Sequence, residues 1–188
     1  MKRLFIAVIL CALTLTSCAM KIKTEYVALE DIPDSYTLED ANEDGCVIFE
    51  NGDITHGQER WDKFAASVPN EKASVRLAYY YTLDHYDDEE YYESVKDEYP
   101  KLFVEDLSYD GEYYTLRWFE DGEELVHRYK YMLRFEGDAP TEHATYERYV
   151  HYVLVNDNTV TWEQLQWGIL SSYMGDYIPH HTVYTDLQ

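Results

Sequence analysis

Residues 107–135 read LSYDGEYYTLRWFEDGEELVHRYKYMLRF, and their reading decides the fold. Two Asp-Gly pairs, Asp110-Gly111 and Asp121-Gly122, punctuate runs rich in Tyr, Leu, Trp and Phe. An Asp-Gly pair between such runs is a two-residue hairpin signal, because both residues tolerate the positive φ that a tight hairpin turn requires. After the second pair the period is two. His127, Tyr129, Tyr131, Leu133 and Phe135 alternate with Arg128, Lys130, Met132 and Arg134. One strand through Phe135 is predicted, with an apolar face and a basic face that water or neighbouring acids satisfy.

The same period continues outward. In residues 74–83, SVRLAYYYTL, the residues Val75, Leu77, Tyr79, Tyr81 and Leu83 share a face. Residues 101–108 and 146–155 are further strands. The chain carries 20 tyrosines, a residue suited to strands and half-buried surfaces. Helix signals flank the strands. Thr37 with Asp40 three residues on forms a capping box, and Gly45 suits the closing position. CVIF, residues 46–49, is a short extended segment and ENGD, residues 50–53, a turn. Thr55 with Gln58 is expected to cap a second helix, whose Trp61, Phe64, Ala65 and Val68 form one face before Pro69-Asn70 stops it. Thr161 with Gln164 caps a last helix carrying Trp162, Leu165 and Ile169. The tail from Ser171 shows no clear pattern. The expected fold class is α+β: an antiparallel meander of about five strands, with two N-terminal helices and one C-terminal helix packed on it.

The N-terminus, MKRLFIAVILCALTLTSC, has a positive start at Lys2 and Arg3 and an apolar run from Leu4 to Leu15. The run is too short to span a bilayer comfortably. Its ending, Leu15-Thr16-Ser17-Cys18, resembles the bacterial lipoprotein signal. That resemblance implies a signal peptide at residues 1–17, a diacylglyceryl group on Cys18, and an extracytoplasmic chain anchored to the cell membrane. Residues 18–34 then form a tether, and residues 35–188 a single domain with an acidic insertion at 84–100, DHYDDEEYYESVKDEYP. In the insertion Tyr91, Tyr92, Val95 and Tyr99 can share one side of a short helix, the acids facing water. With Cys11 in the signal and Cys18 lipidated, Cys46 has no partner left for a disulfide, and a lone thiol there is a small buried hydrophobe.

The order of these signals resembles a family of small bacterial lipoproteins carried as a domain of unknown function. The resemblance rests on Tyr36, Thr37, Glu39, Asp40 and Ala41, the aromatic helix that follows, and the Tyr109-Asp110-Gly111 hairpin. It covers about residues 35–135; the acidic insertion and the C-terminal part depart from it. It implies surface localisation and the helix–helix–strand order, and it implies no activity.

The net charge of −22 becomes −24 when residues 1–17, with Lys2 and Arg3, are removed. This argues against nucleic acid, which needs a basic footprint, as a partner. Cations, basic partners or plain solubility are favoured. LEDANEDGCVIFENGD, residues 38–53, imitates a calcium loop through Asp40, Asn42 and Asp44. Counted from Asp40, however, the closing position falls on Asn51, with Glu50 one residue early, and no helix follows. Capping accounts for the same residues. His180-His181 lacks defined partners for zinc and reads as a polar tail. No nucleophile, zinc-protease or phosphate-loop motif is present. No cofactor is implied.

His127 and His151 lie on strand faces beside tyrosines, as core or rim residues. Tyr80 and Tyr113 face away from Tyr79, Tyr81 and Tyr114, where exposed rings can hold a sugar or peptide. The sequence therefore favours a non-enzymatic binding module of the cell envelope, with a protein, peptide or glycan ligand. A hydrolase of envelope material and a cation-binding surface protein are the alternatives. A deep pocket joining His127 or His151 to a carboxylate would favour the hydrolase. A melting-temperature rise specific to calcium would favour cation binding. The lipid anchor has a direct check: Cys18→Ala is expected to leave the membrane fraction for the soluble one. Continued sedimentation with membranes would contradict the anchor.

Overall fold

A computed structural model describes residues 26–83, 89–139, 141, 144–171 and 173–188. The fold is α+β. Two sheets divide the strands. The larger has six, in the order β2-β1-β3-β4-β5-β6, and the smaller has three, β7-β8-β9. In chain order these are β1 (Val47–Glu50), β2 (Asp53–His56), β3 (Ala73–Tyr81), β4 (Lys101–Tyr109), β5 (Tyr114–Glu120), β6 (Glu123–Tyr129), β7 (Tyr131–Asp138), β8 (Arg148–Val155) and β9 (His180–Leu187). The helices are α1 (Leu38–Asp44), α2 (Gln58–Ser67), α3 (Glu89–Val95) and α4 (Trp162–Leu170).

Local chemistry places many of these ends. Thr37 and Asp40 cap α1 reciprocally, and Gly45 closes it in the left-handed region at φ 81°. Thr161 and Gln164 do the same at the start of α4. Asp121 and Gly122 both adopt positive φ, and Glu120 pairs with Glu123 across a two-residue turn. The first Asp-Gly pair behaves differently. Tyr109 pairs with Tyr114, so residues 110–113 form the loop, with Asp110 Oδ1 accepting from the amides of Glu112 and Tyr113.

Four expectations are corrected. The main sheet is mixed, because β1 runs parallel to β3 while its other pairings are antiparallel. The expected strand through Phe135 breaks at Lys130, where the chain leaves the large sheet for the small one. The Lys130 amide donates to Asn156 Oδ1 at 3.1 Å instead of to a ladder. Thr55 is not a helix cap: it lies in β2, and its hydroxyl donates to Glu50 Oε1. The Asn51-Gly52 turn, both residues at positive φ, extends the hairpin through His56, so α2 starts after Gly57. Gly57 has φ 79°, and a Cβ there would meet the Cys46 carbonyl at 2.6 Å. The residues after Ser171 include β9 and are not a polar tail.

The helices do not share one face. On the inner face of the main sheet, Val75 and Leu77 of β3, Leu107 of β4 and Leu116 of β5 are buried. They pack with Trp61 and Phe64 of α2 and with Leu154, Val183 and Tyr184 of the small sheet. The Tyr184 ring stacks on Trp61 at 4.7 Å, and its hydroxyl donates to Gln58 Oε1. Helix α4 covers the far side of the small sheet, where Val153, Val155 and Leu165 are buried. Leu165 faces this cluster, whereas Ile169 is 60 % exposed.

The outer face of the main sheet is covered by α1 and by the residues before it. Ala41, Cys46, Ile48 and Ala78 are buried there. Leu29 is buried too, within the described part of the predicted tether. Beneath this cover Arg76 is 1 % exposed and makes a two-pronged ion pair with Asp106, Nε to Oδ1 at 2.7 Å and Nη2 to Oδ2 at 2.8 Å. The Tyr26 ring lies 4.7 Å from the guanidinium carbon. The Asp106 side chain keeps 29 % exposure, so the two partners are not equally dependent on each other. Asp106→Ala strands a buried charge and is expected to lower unfolding free energy by about 3 kcal/mol. Arg76→Met leaves a carboxylate that water can reach and is expected to cost less. Urea titration checks the order; equal losses, or a larger loss for Arg76→Met, would contradict it.

Candidate functional site

The inner face of the main sheet is apolar from Val75 to Leu116 and then changes character. On that same face β4 places Glu105 between Leu77 of β3 and Trp118 of β5. There the small sheet no longer covers the large one completely. A groove of about 700 Å³ opens where β3 ends at Tyr81, β4 begins at Lys101 and β5 turns at Asp121. Tyr79, Tyr81, Phe103 and Trp118 line it, with Glu105 and His181. Glu120 and Asp121 line it as well. Phe103 is 49 % exposed and Tyr81 38 %, exposures at which apolar rings on a monomer surface are open to contact.

The Glu105 side chain is 12 % exposed, and its Oε2 accepts no hydrogen bond. His181 Nε2 lies 3.5 Å from that oxygen, as an ion pair only when the imidazole is protonated. Tyr79 donates from its hydroxyl to the Val183 carbonyl at 3.1 Å, which ties β3 to β9 beside the groove. Burial, with the Glu105 charge second, pushes the Tyr79 and Tyr81 hydroxyls above the usual tyrosine range. Both phenols therefore stay neutral donors.

A bulge aims His181. Along β8 and β9, Tyr152 pairs with Tyr184 but Val153 pairs with Thr182, leaving Val183 as an extra residue. Without it, alternation would put positions 181 and 184 on opposite faces. With it, both side chains turn toward the main sheet, Tyr184 into the core and His181 to Glu105. The neighbouring His180 points elsewhere, its Nδ1 2.6 Å from the Ile178 carbonyl.

The groove joins a histidine to a carboxylate, but the histidine is neither of those expected. His127 is exposed on β6, its ring 4.9 Å from Trp118. His151 lies on β8 of the other sheet, stacked on Trp162 at 4.4 Å with Nδ1 3.0 Å from Thr185 Oγ1. Tyr80 faces away from Tyr79 and Tyr81 as predicted, and borders a hollow with Tyr92, Lys96 and Tyr99 of the insertion. Tyr113 is covered by Arg128 at 4.3 Å and Lys130 at 4.4 Å. Its face is occupied by cations already in place.

Asp40 serves the cap of α1, and Asp44 accepts from the Tyr36 hydroxyl at 3.1 Å. Among the described residues no group of three or more His, Cys, Asp or Glu side chains is arranged to hold a metal ion. Cys46 is 1 % exposed, and burial pushes its thiol up to about 11, so it is a poor nucleophile at neutral pH. Among the described residues no helix is long and apolar enough to cross a membrane. Cys18 lies outside the described residues.

Glu105 was not singled out by sequence because acids are abundant: Asp and Glu number 37. The one available signal was its place on an otherwise apolar strand face. Comparison with protein-family models, with curated proteins and with solved structures returned no match.

Burial holds His151 below its ordinary value of 6.5. The folded protein therefore binds this proton more weakly than the unfolded chain does. The stabilisation from His151 is complete above 6.5 and is lost as pH falls through the folded value. His151→Gln is expected to flatten the decline in unfolding free energy between about pH 7 and pH 5, where imidazoles titrate. An unchanged slope in denaturant titrations across that window would contradict the assignment.

Proposed function

We propose that this chain is a cell-envelope binding module, held to the membrane by lipid on Cys18, that takes its ligand in the groove over Glu105. The observation that carries the reading is the groove itself: an open cleft of about 700 Å³, walled by aromatic rings, with a carboxylate whose Oε2 accepts no hydrogen bond. That volume is in the range of sites for small molecules, sugar rings or single side chains. Rings supply contact area and polar groups supply orientation, which suffices for recognition without chemistry. The lipid anchor rests on residues 1–18, and several lipid chains hold a protein at a bilayer stably.

One observation favours a second reading, a hydrolase of envelope material. Glu105 and His181 stand 3.5 Å apart, close to the spacing of a general acid–base pair. Binding accounts for more of the lining, since five aromatic residues, Tyr79, Tyr81, Phe103, Trp118 and Phe119, line the groove beside the pair.

Thermal unfolding of the purified full chain, screened against envelope glycans and peptides, tests the reading. A ligand of the groove is expected to raise the melting temperature by several degrees when present at about 100 times its dissociation constant. Trp118→Ala should abolish that rise. A rise that survives Trp118→Ala would place the ligand elsewhere. Breakdown of a screened compound, lost in Glu105→Gln, would put the hydrolase first.

A further inference from the structure

We infer that the groove selects an organic cation: an ammonium group carried on an apolar body. The inference rests on the groove as the ligand site and names its ligand class. The walls come first. The faces of aromatic rings carry negative potential, so a cation placed over Tyr or Trp is attracted to it, and more strongly as water is excluded. Tyr81 and Trp118 offer such rings, while Phe49 stacks on one face of Tyr79.

The floor is the second observation. Glu105 Oε2 is shut off from solvent and accepts no hydrogen bond. A carboxylate so placed is costly without a compensating charge, and a cation in the groove supplies one through its field without touching Oε2. His181 supplies charge only when protonated, so a neutral imidazole leaves the carboxylate without a counter-ion from that side.

The rim is the third. Glu120 and Asp121 add carboxylates, and among the described residues no lysine or arginine lines the groove. An anion would meet the like charge of Glu105, Glu120 and Asp121. The whole chain, at −22, adds a field that concentrates cations at a concave acidic surface. A bare calcium or magnesium ion does not suit the site, because it needs six or more oxygen ligands, and these walls are largely apolar rings. An ammonium on an apolar body uses both halves of the lining, charge against Glu105 and methylene or methyl groups against the rings. A free small molecule and a lysine side chain of a peptide both carry this chemistry.

The test compares a cation with its uncharged carbon isostere. Choline and 3,3-dimethylbutan-1-ol have the same shape and differ in charge. Each is titrated into the purified full chain at pH 8, where imidazole side chains are generally neutral. Binding is read from the indole N–H resonance of Trp118, assigned with Trp118→Phe. Choline is expected to bind at least about tenfold more tightly than the alcohol, and Glu105→Gln to remove most of that preference. A lysine-containing peptide and its acetyl-lysine counterpart, titrated in the same way, distinguish a peptide source from a small molecule.

Equal binding of choline and the alcohol would overturn the inference, as would a preference that persists in Glu105→Gln. A neutral chitooligosaccharide that moves the Trp118 resonance while choline does not would also overturn it, and would leave the groove standing as a glycan site. If none of these probes moves Trp118, both the cation and the groove reading fall.

Discussion

The inner face of the large sheet must be kept from water, and the structure depends on how that is done. Helix α2 and the small sheet together form the cover, joined where Tyr184 stacks on Trp61 at 4.7 Å and meets Tyr152 edge-on. Phe49 extends the same cluster, stacked on Tyr79 at 5.0 Å. Burial of such rings is the largest favourable contribution to a core of this size. The cover is shorter than the face it shields. Beyond Leu107 and Leu116 the large sheet continues to Glu105, Phe103 and Trp118 without a full partner, and the groove is the part left open.

The elements that sequence revealed are those fixed by neighbours along the chain. Thr37 and Asp40, Thr161 and Gln164, and Asp121-Gly122 each act within about one turn, and each behaves as its chemistry dictates. The misread elements were decided by distant residues. Nothing local marks the break at Lys130, because the period of two continues through it; the partner that receives its amide is Asn156. The cap signal at Thr55 is real chemistry that lost to the Asn51-Gly52 hairpin. The parallel pairing of β1 with β3 follows a connection through β2 and α2 and is not marked in either strand. The bulge at Val183 hid β9, since it puts two adjacent residues, Val183 and Tyr184, into the core and destroys the alternation. The site was illegible for the same reason. Glu105 and His181 belong to different sheets, and only the switch at Lys130 and the bulge bring them together.

The acidic surface and the groove draw on the same residue type. An excess of carboxylates keeps a chain well solvated. Most of those carboxylates face water or single cations, as in the Lys96–Glu93 and Lys101–Glu98 pairs, which are exposed and individually weak. Glu105 differs because it is enclosed by rings. The segment that leads from the proposed anchor passes nearby: residues Leu29 to Tyr36 border a hollow that shares Leu102, Val104 and Phe119 with the groove. The wall of the groove and the docking surface of that segment are thus two sides of the same strand ends.

The account stands on the small sheet lying over Glu105. Nuclear Overhauser contacts in the free protein test this most directly. The Trp118 and His181 rings are centred 6.1 Å apart, and Tyr79 reaches the Val183 carbonyl. Cross-peaks between Trp118 indole and His181 imidazole protons, and between Tyr79 and Val183, are predicted. If the Trp118 protons contact only residues of the large sheet, β9 does not form the second wall, and the groove is not the site described.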